Sequence, residues 1–198
     1  MYRLFLKDVV CNIPTDEKLL YLTFDDGPVP EATPFVLEQL KRFNAKATFF
    51  CIGNNIEKNP EIFKSIVQNG NRIGNHTFDH INGWKFGAKE YAANVEKCEQ
   101  IISNQYTVIG QKPDTDYRLT KTLFRPPYGK ITPSQYAVLN NKYSVILWDV
   151  LSWDFNPAVS PEKCLRNVLN HAKPGSIIVF HDSIKAFKNR CKRECLFT

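Results

Sequence analysis

Four times in this chain a small polar residue stands directly before a proline at the head of an apolar-striped segment: Thr33-Pro34, Asn59-Pro60, Thr132-Pro133 and Ser160-Pro161. Proline fixes its own φ and lacks an N–H, so it suits the first helical position, and the polar residue before it caps the free amides. Each pair therefore opens a predicted helix. Between the helices lie short apolar runs that read as strands, over 19–24, 45–52, 72–75, 122–124, 143–150 and 176–180. This alternation implies a parallel sheet or a βα barrel, whose strand ends leading into helices all face one way.

The helix opened at Thr33 presents Val36, Leu37, Leu40 and Phe43 inward and stops at Asn44. The helix opened at Asn59 presents Ile62, Phe63, Ile66 and Val67 and stops at Gly70. Another runs through Tyr91, Val95, Cys98, Ile101 and Ile102, with a polar surface loop expected over 103–121. Thr132 opens a short helix, and Ser160 opens one with Leu165, Val168 and Leu169 inward. Residues 1–18 form an unpatterned lead-in and 186–198 a basic tail. At 198 residues and 43% hydrophobic content, one globular domain is expected.

The formal charge is +6. Residues 183–198 hold five basic side chains (Lys185, Lys188, Arg190, Lys192, Arg193) against Glu194, so four of the six excess charges lie there. A basic tail reads as a solvated end, and no nucleic-acid partner is expected. No run reaches the ~18–20 apolar residues of a membrane span. The stretch Met1–Asp8 has neither an apolar core nor a small-residue cleavage site. It predicts a cytoplasmic chain, or a cell-envelope one if a leader lies outside this sequence. None of the six cysteines makes a C-x-x-C pair: Cys51, Cys98 and Cys164 read as packed thiols, and Cys191 and Cys195 are near enough to pair.

The chemistry gathers at strand ends. The first strand runs into Asp25-Asp26-Gly27-Pro28. Asp-Gly is a common turn, but carboxylates at the C-terminal end of an α/β strand also stand where such folds place ligands. His76 and His80 follow the third strand, four residues apart. They either cap local backbone or, with Asp26, supply two imidazole nitrogens and one carboxylate oxygen, a zinc donor set that leaves a position open for water. Neighbouring side chains of an extended segment point opposite ways, so Asp25 is available as a base while Asp26 binds metal. His181, after the last strand, is the candidate acid, and Asp154 its candidate supporting carboxylate.

These residues sit in four ordered motifs: Thr23-Phe24-Asp25-Asp26-Gly27-Pro28, His76-Thr77-Phe78-Asp79-His80, Arg125-Pro126-Pro127-Tyr128-Gly129 and Ile178-Val179-Phe180-His181-Asp182. In order and spacing they resemble the polysaccharide deacetylase (NodB-homology) family of carbohydrate esterases, over residues 19–185. The resemblance implies an α/β fold, a distorted (β/α) barrel, and metal-dependent removal of acetyl groups from N-acetylated sugars of a polysaccharide such as peptidoglycan or a chitin-like oligomer. It implies that Asp25 is the general base, Arg125 its orienting partner and His181 the general acid supported by Asp154. Asp26, His76 and His80 would hold one divalent ion, usually zinc, with cobalt or another ion accepted by some members. Pro127, Tyr128 and Gly129 would shape the substrate groove, with the Tyr128 N–H on the acetyl carbonyl.

Two departures are visible. Where the family shows Asp-x-x-Asp-Trp, this chain reads Leu151-Ser152-Trp153-Asp154-Phe155. Where the family continues with a further helix, the residues after His181 show little helical periodicity, which predicts a barrel incomplete at that end. Removal of O-acetyl groups by the same site, and a non-catalytic sugar-binding relative, are the alternatives.

Overall fold

The computed structural model describes residues 8–110 and 121–191. A parallel seven-stranded sheet forms its centre, in the order β5-β4-β3-β2-β1-β7-β6. The strands are β1 (Tyr21–Asp25), β2 (Thr48–Cys51), β3 (Arg72–Asn75), β4 (Thr122–Phe124), β5 (Tyr143–Val145), β6 (Val150–Leu151) and β7 (Ile177–His181). The helices are α1 (Ala32–Arg42), α2 (Gly53–Lys58), α3 (Pro60–Gln68), α4 (Ala88–Ile109), α5 (Pro133–Leu139), α6 (Pro161–His171) and α7 (Ile184–Cys191).

The strands alternate between two cores. Phe24, Phe49 and Cys51 pack outward against Val36, Leu40, Phe63 and Ile66 of the helices. Phe50 turns the other way, toward Ile146 and Ile177, and Thr23 and Asp25 share that inner side through Arg125. Gly74, paired with Phe50 across the strands, leaves room for its ring: a Cβ there would lie 2.4 Å from Phe50 Cδ1.

The run 143–150, read from sequence as one strand, is two. β5 and β6 pair at opposite edges of the sheet, with only residues 146–149 between them. Seven flat strands would separate those edges by about 29 Å, at six spacings of ~4.8 Å. Five residue steps span at most about 18 Å. The sheet must therefore curl until its edges approach. The lead-in seals the gap: the Val10 N–H donates to Val145 O (3.0 Å), the Leu147 N–H to Val10 O (2.8 Å) and the Ile13 N–H to Gly175 O (2.9 Å). The result is the expected distorted barrel.

Other expectations are corrected locally. α1 begins at Ala32, before Thr33, whose hydroxyl is engaged elsewhere. Asn59 precedes α3 without a side-chain cap bond, donating its amide to Pro28 O (3.2 Å), and α2 lies just before it, unforeseen. Thr132 and Ser160 do cap, accepting from the Gln135 and Lys163 amides. Phe43 (54% exposed) and Leu169 (66%) face solvent, and Cys164 takes the inward place on α6.

α4 runs through 103–109, because Tyr106 continues the buried stripe one turn beyond Ile102 and meets Phe63 edge-on. Gly110, at φ 73°, ends it with the left-handed turn that glycine adopts freely. A helix also follows His181: in α7, Ala186 is buried and Phe187 meets the Phe35 ring of α1 at 5.6 Å. The loop expected over 111–120, the ends 1–7 and 192–198, and the Cys191–Cys195 pairing lie outside the described residues. Among those described, Cys11, Cys51, Cys98 and Cys164 are free thiols, and no helix is long and apolar enough to cross a membrane.

Candidate metal centre and its flanking groups

Strand register assembles the site. Asp25 pairs with His181 and with Phe50, Cys51 pairs with Asn75, and Asn75 with Phe124. The residues that follow, Asp26, His76 and Arg125, thus emerge at one level of the barrel mouth. Asp25 and Asp26 then diverge because Asp26 leaves the strand at φ 81°. Asp25 turns to Arg125 and Asp26 to the histidines.

One ligand-bearing atom each from Asp26, His76 and His80 lies within 4.8 Å of the others. Asp26 Oδ1 stands 3.1 Å from His80 Nε2 and 3.6 Å from His76 Nε2. The His76 ring is oriented from behind, since its Nδ1 lies 2.7 Å from the Arg125 carbonyl, which only accepts. Nδ1 therefore carries the proton and Nε2 presents a lone pair. Burial holds His76 down at about 4, so the ring is neutral at physiological pH, although Asp25 and Asp26 pull the other way. Burial works to raise the Asp26 carboxyl, but His80, His181 and His76 outweigh it and hold it at about 2. An ionised, buried Oδ1 without a hydrogen-bond partner thus faces an imidazole lone pair. Two acceptors pointed at one another need a cation between them, and this donor set fits a divalent metal.

The loop bearing the histidines is set by neighbours that sequence reasoning missed. Asn75 Oδ1 accepts from the Thr77 N–H (2.9 Å), and Asn94 Oδ1 accepts from Phe78 (2.8 Å) and Asp79 (3.1 Å). They hold a turn in which Thr77 (φ 63°) and His80 (φ 55°) are left-handed, a conformation costly for residues other than glycine.

On one side of the metal centre, Arg125 is wholly buried and reaches Asp25 Oδ1 (2.7 Å), Thr23 Oγ1 (2.7 Å), Ile146 O (3.2 Å) and Leu147 O (3.1 Å). Burial works against its charge while Asp25 supports it, and a guanidinium stays protonated in a protein. On another side, His181 Nδ1 lies 2.7 Å from Asp154 Oδ1, and Asp154 Oδ2 accepts from the His181 backbone N–H (2.8 Å). Burial opposes the imidazolium, but Asp154, aided by Asp26 and Asp25, raises His181 to about 9. A raised value stabilises the fold fully below the ordinary 6.5, and that contribution fades as pH climbs through about 9.

Tyr128 (φ 60°, 60% exposed) stands 4.8 Å from the His80 ring, with Pro127 and Gly129 buried on either side. Asp182, left without a role by the sequence, is wholly buried and clamps the loop after β1: it accepts from the Gly27 N–H (3.0 Å) and the Thr33 hydroxyl (2.7 Å). A Cβ on Gly27 would fall 1.9 Å from Asp182 Oδ2, so glycine alone allows this approach. Burial pushes the Asp182 carboxyl up to about 7. Its hydrogen bonds are long-range in sequence, so the only signal was its place beside His181.

A curled parallel barrel whose mouth gathers an Asp-His-His cluster between an Asp–Arg pair and an Asp–His pair defines a metal-centred α/β hydrolase fold. The chain belongs to the polysaccharide deacetylase family, whose sequence profile matches residues 12–143. It is 37% identical over 171 residues to a peptidoglycan-N-acetylglucosamine deacetylase of Bacillus cereus, covering 86% of this chain and 58% of that protein. It is 34% identical to a chitooligosaccharide deacetylase of Azorhizobium caulinodans, covering 86% of this chain and 77% of that one. Among solved structures, a peptidoglycan N-acetylglucosamine deacetylase superposes with TM-score 0.77 at 35% identity, over 88% of this chain and 76% of the other. The family is metal-dependent, in accord with the Asp26, His76 and His80 cluster.

Proposed function

We propose that this chain is a metal-dependent hydrolase that removes N-acetyl groups from N-acetylglucosamine units of a polysaccharide, a peptidoglycan or chitin-like chain, with zinc as its ion. The single observation that carries the reading is the unpartnered Asp26 Oδ1 facing the two histidine nitrogens, set between Asp25 and His181. Relatives in peptidoglycan and chitooligosaccharide deacetylation support the substrate class. Two imidazole nitrogens and one carboxylate oxygen suit zinc, while cobalt would also be accommodated.

A bound ion would supply Lewis acidity that polarises the acetyl carbonyl and acidifies a water molecule. Asp25 takes that water's proton, its carboxylate held in place and kept ionised by Arg125. Tyr128, on the exposed side of His80, borders the space above the three ligands where the acetyl group would lie. His181, protonated on both ring nitrogens at neutral pH, gives its Nε2 proton to the departing sugar nitrogen, while Asp154 holds Nδ1–H and fixes the ring. The products are acetate and the free amine.

The test is acetate release from N-acetylglucosamine oligomers by the purified chain, beside O-acetylated sugars. Activity should vanish with chelator, return with zinc and favour the amide. Turnover that survives exhaustive chelation overturns the reading. A second expectation concerns pH. In Asp154→Asn the support for the imidazolium is lost, so the basic limb of the kcat/KM profile should move down by about one unit or more, and activity at pH 8 should fall about tenfold. An unchanged basic limb would remove His181 from the acid role.

A further inference from the structure

Two large aromatic side chains are exposed near the barrel mouth without any packing reason to be there. Trp84 is 59% exposed and Trp153 is 45% exposed. Neither sits on a mobile excursion. The Trp84 N–H donates to Asn82 Oδ1 (3.1 Å), and the Gly83 carbonyl beside it accepts from buried Gln135 Nε2 (2.7 Å). Trp153 is held at φ 65°, a strained backbone position for so large a residue. Exposed apolar rings on a well-defined rim mark a surface that meets a ligand.

Each ring system carries a lysine. Lys130 Nζ lies 4.6 Å from the Trp84 ring centre. Trp153 meets Phe155 at 5.6 Å, and Lys185 Nζ stands 5.9 Å from the Phe155 ring. Neither lysine has a carboxylate partner among the described residues. Both pairs abut the catalytic groups. Lys130 is two residues beyond Tyr128, whose ring touches His80, and Phe155 meets the His181 ring at 4.9 Å. The sheet order sets them apart: the first pair follows β3 and β4, the second follows β6 and β7, and β1 with Asp25 and Asp26 runs between.

We infer that the groove across this centre reads a glycan bearing carboxylates on the sugars that flank the reacting one, through the Trp84–Lys130 and Trp153–Phe155–Lys185 groups. The inference rests on the deacetylase reading and specifies its substrate. Flat aromatic faces hold sugar rings, and a polymer passing through the centre needs such a face on both sides of the reacting unit. A neutral polymer would leave both ammonium groups idle. A carboxylate beside each ring gives them a partner, and their field also draws an anionic chain toward the mouth. α7 is what brings Lys185 there, so part of the charge that reads from sequence as a solvated tail lies on the rim of the site.

The experiment compares kcat/KM on peptide-free bacterial cell-wall glycan, whose alternate sugars bear a lactyl carboxylate, with that on N-acetylglucosamine oligomers of equal length, at low and high salt. The zinc-loaded chain should prefer the carboxylate-bearing strand, with the preference fading as salt rises. Lys130→Gln and Lys185→Gln should each lower kcat/KM on that strand about threefold more than on the neutral oligomer, mainly through KM. Equal use of both polymers, or equal losses in the variants, overturns the inference while leaving the deacetylase reading intact. If neither polymer releases acetate, the deacetylase reading fails, and calorimetric titration with the carboxylate strand decides the rest. Salt-sensitive binding weakened in both variants upholds the groove, and salt-insensitive or absent binding overturns it.

Discussion

Asp25→Asn should lower kcat by about a thousandfold, within the ~10²–10⁴ that a positioned general base contributes, and leave zinc binding nearly unchanged. The separation of effects follows from the geometry. Asp25 Oδ1 accepts from Arg125 Nη1 at 2.7 Å and belongs to the inner side of β1, whereas Asp26 alone of the two faces the histidines. Asparagine keeps an oxygen for Arg125 and a similar volume, but it cannot accept a proton from water. The measurement is kcat on acetylated oligomers beside zinc stoichiometry and affinity for the same preparation. Full activity would displace Asp25 from the base role, and lost zinc would mean that the two carboxylates share the metal.

Arg125→Met should be the most destabilising single change at the site. The guanidinium is wholly buried, lies 4.0 Å from the Phe50 ring centre, and bonds to Asp25, Thr23 and the carbonyls of Ile146 and Leu147. Removing it strands the Asp25 carboxylate, 3% exposed, without a counter-charge. Breaking one side of a buried pair costs about 3–5 kcal/mol, and two orphaned carbonyls add about 1–3 kcal/mol each where water cannot reach them. That is a large share of the ~5–15 kcal/mol that holds a domain together. Lysine does not substitute, since one ammonium cannot span acceptors arranged for a planar fork. Adding Asp25→Asn to Arg125→Met should restore part of the stability and none of the activity, because the stranded charge is gone and the base with it. Denaturant unfolding of the three variants checks this, and wild-type stability in Arg125→Met would contradict it.

The Arg125 network also joins the two edges of the sheet's gap. Ile146 and Leu147 lie on the short crossing between β5 and β6, and Leu147 donates its N–H to Val10 of the lead-in. One side chain therefore positions the candidate base and braces the barrel where it is least hydrogen-bonded. Its carbonyl also orients His76. Loss of activity in Arg125 variants is expected to combine all three effects.

What the sequence determined by itself is local. Apolar runs of strand length carry Asp25, Asp26, His76, Arg125 and His181 at their C-terminal ends, and a parallel arrangement forces those ends onto one rim. Caps at Thr132 and Ser160 act within three residues, so composition alone reveals them. The tertiary structure decided what depends on distant groups. The run 143–150 is continuously apolar, yet its halves pair with strands at opposite edges, because curvature summed over seven strands brings those edges within reach of four residues. Thr33 reads as a cap until Asp182, 149 residues away, claims its hydroxyl. The left-handed turns at Asp26, Thr77, His80, Tyr128 and Trp153 belong to residues that propensity would keep out of that region. Where neighbouring contacts are visible they come from groups such as Asn75 and Asn94, whose hydrogen bonds bridge separate elements. Backbone preferences of a fraction of a kcal/mol are written in the sequence, but hydrogen bonds between buried partners far apart in the chain outweigh them, and those partners meet only once the barrel has closed.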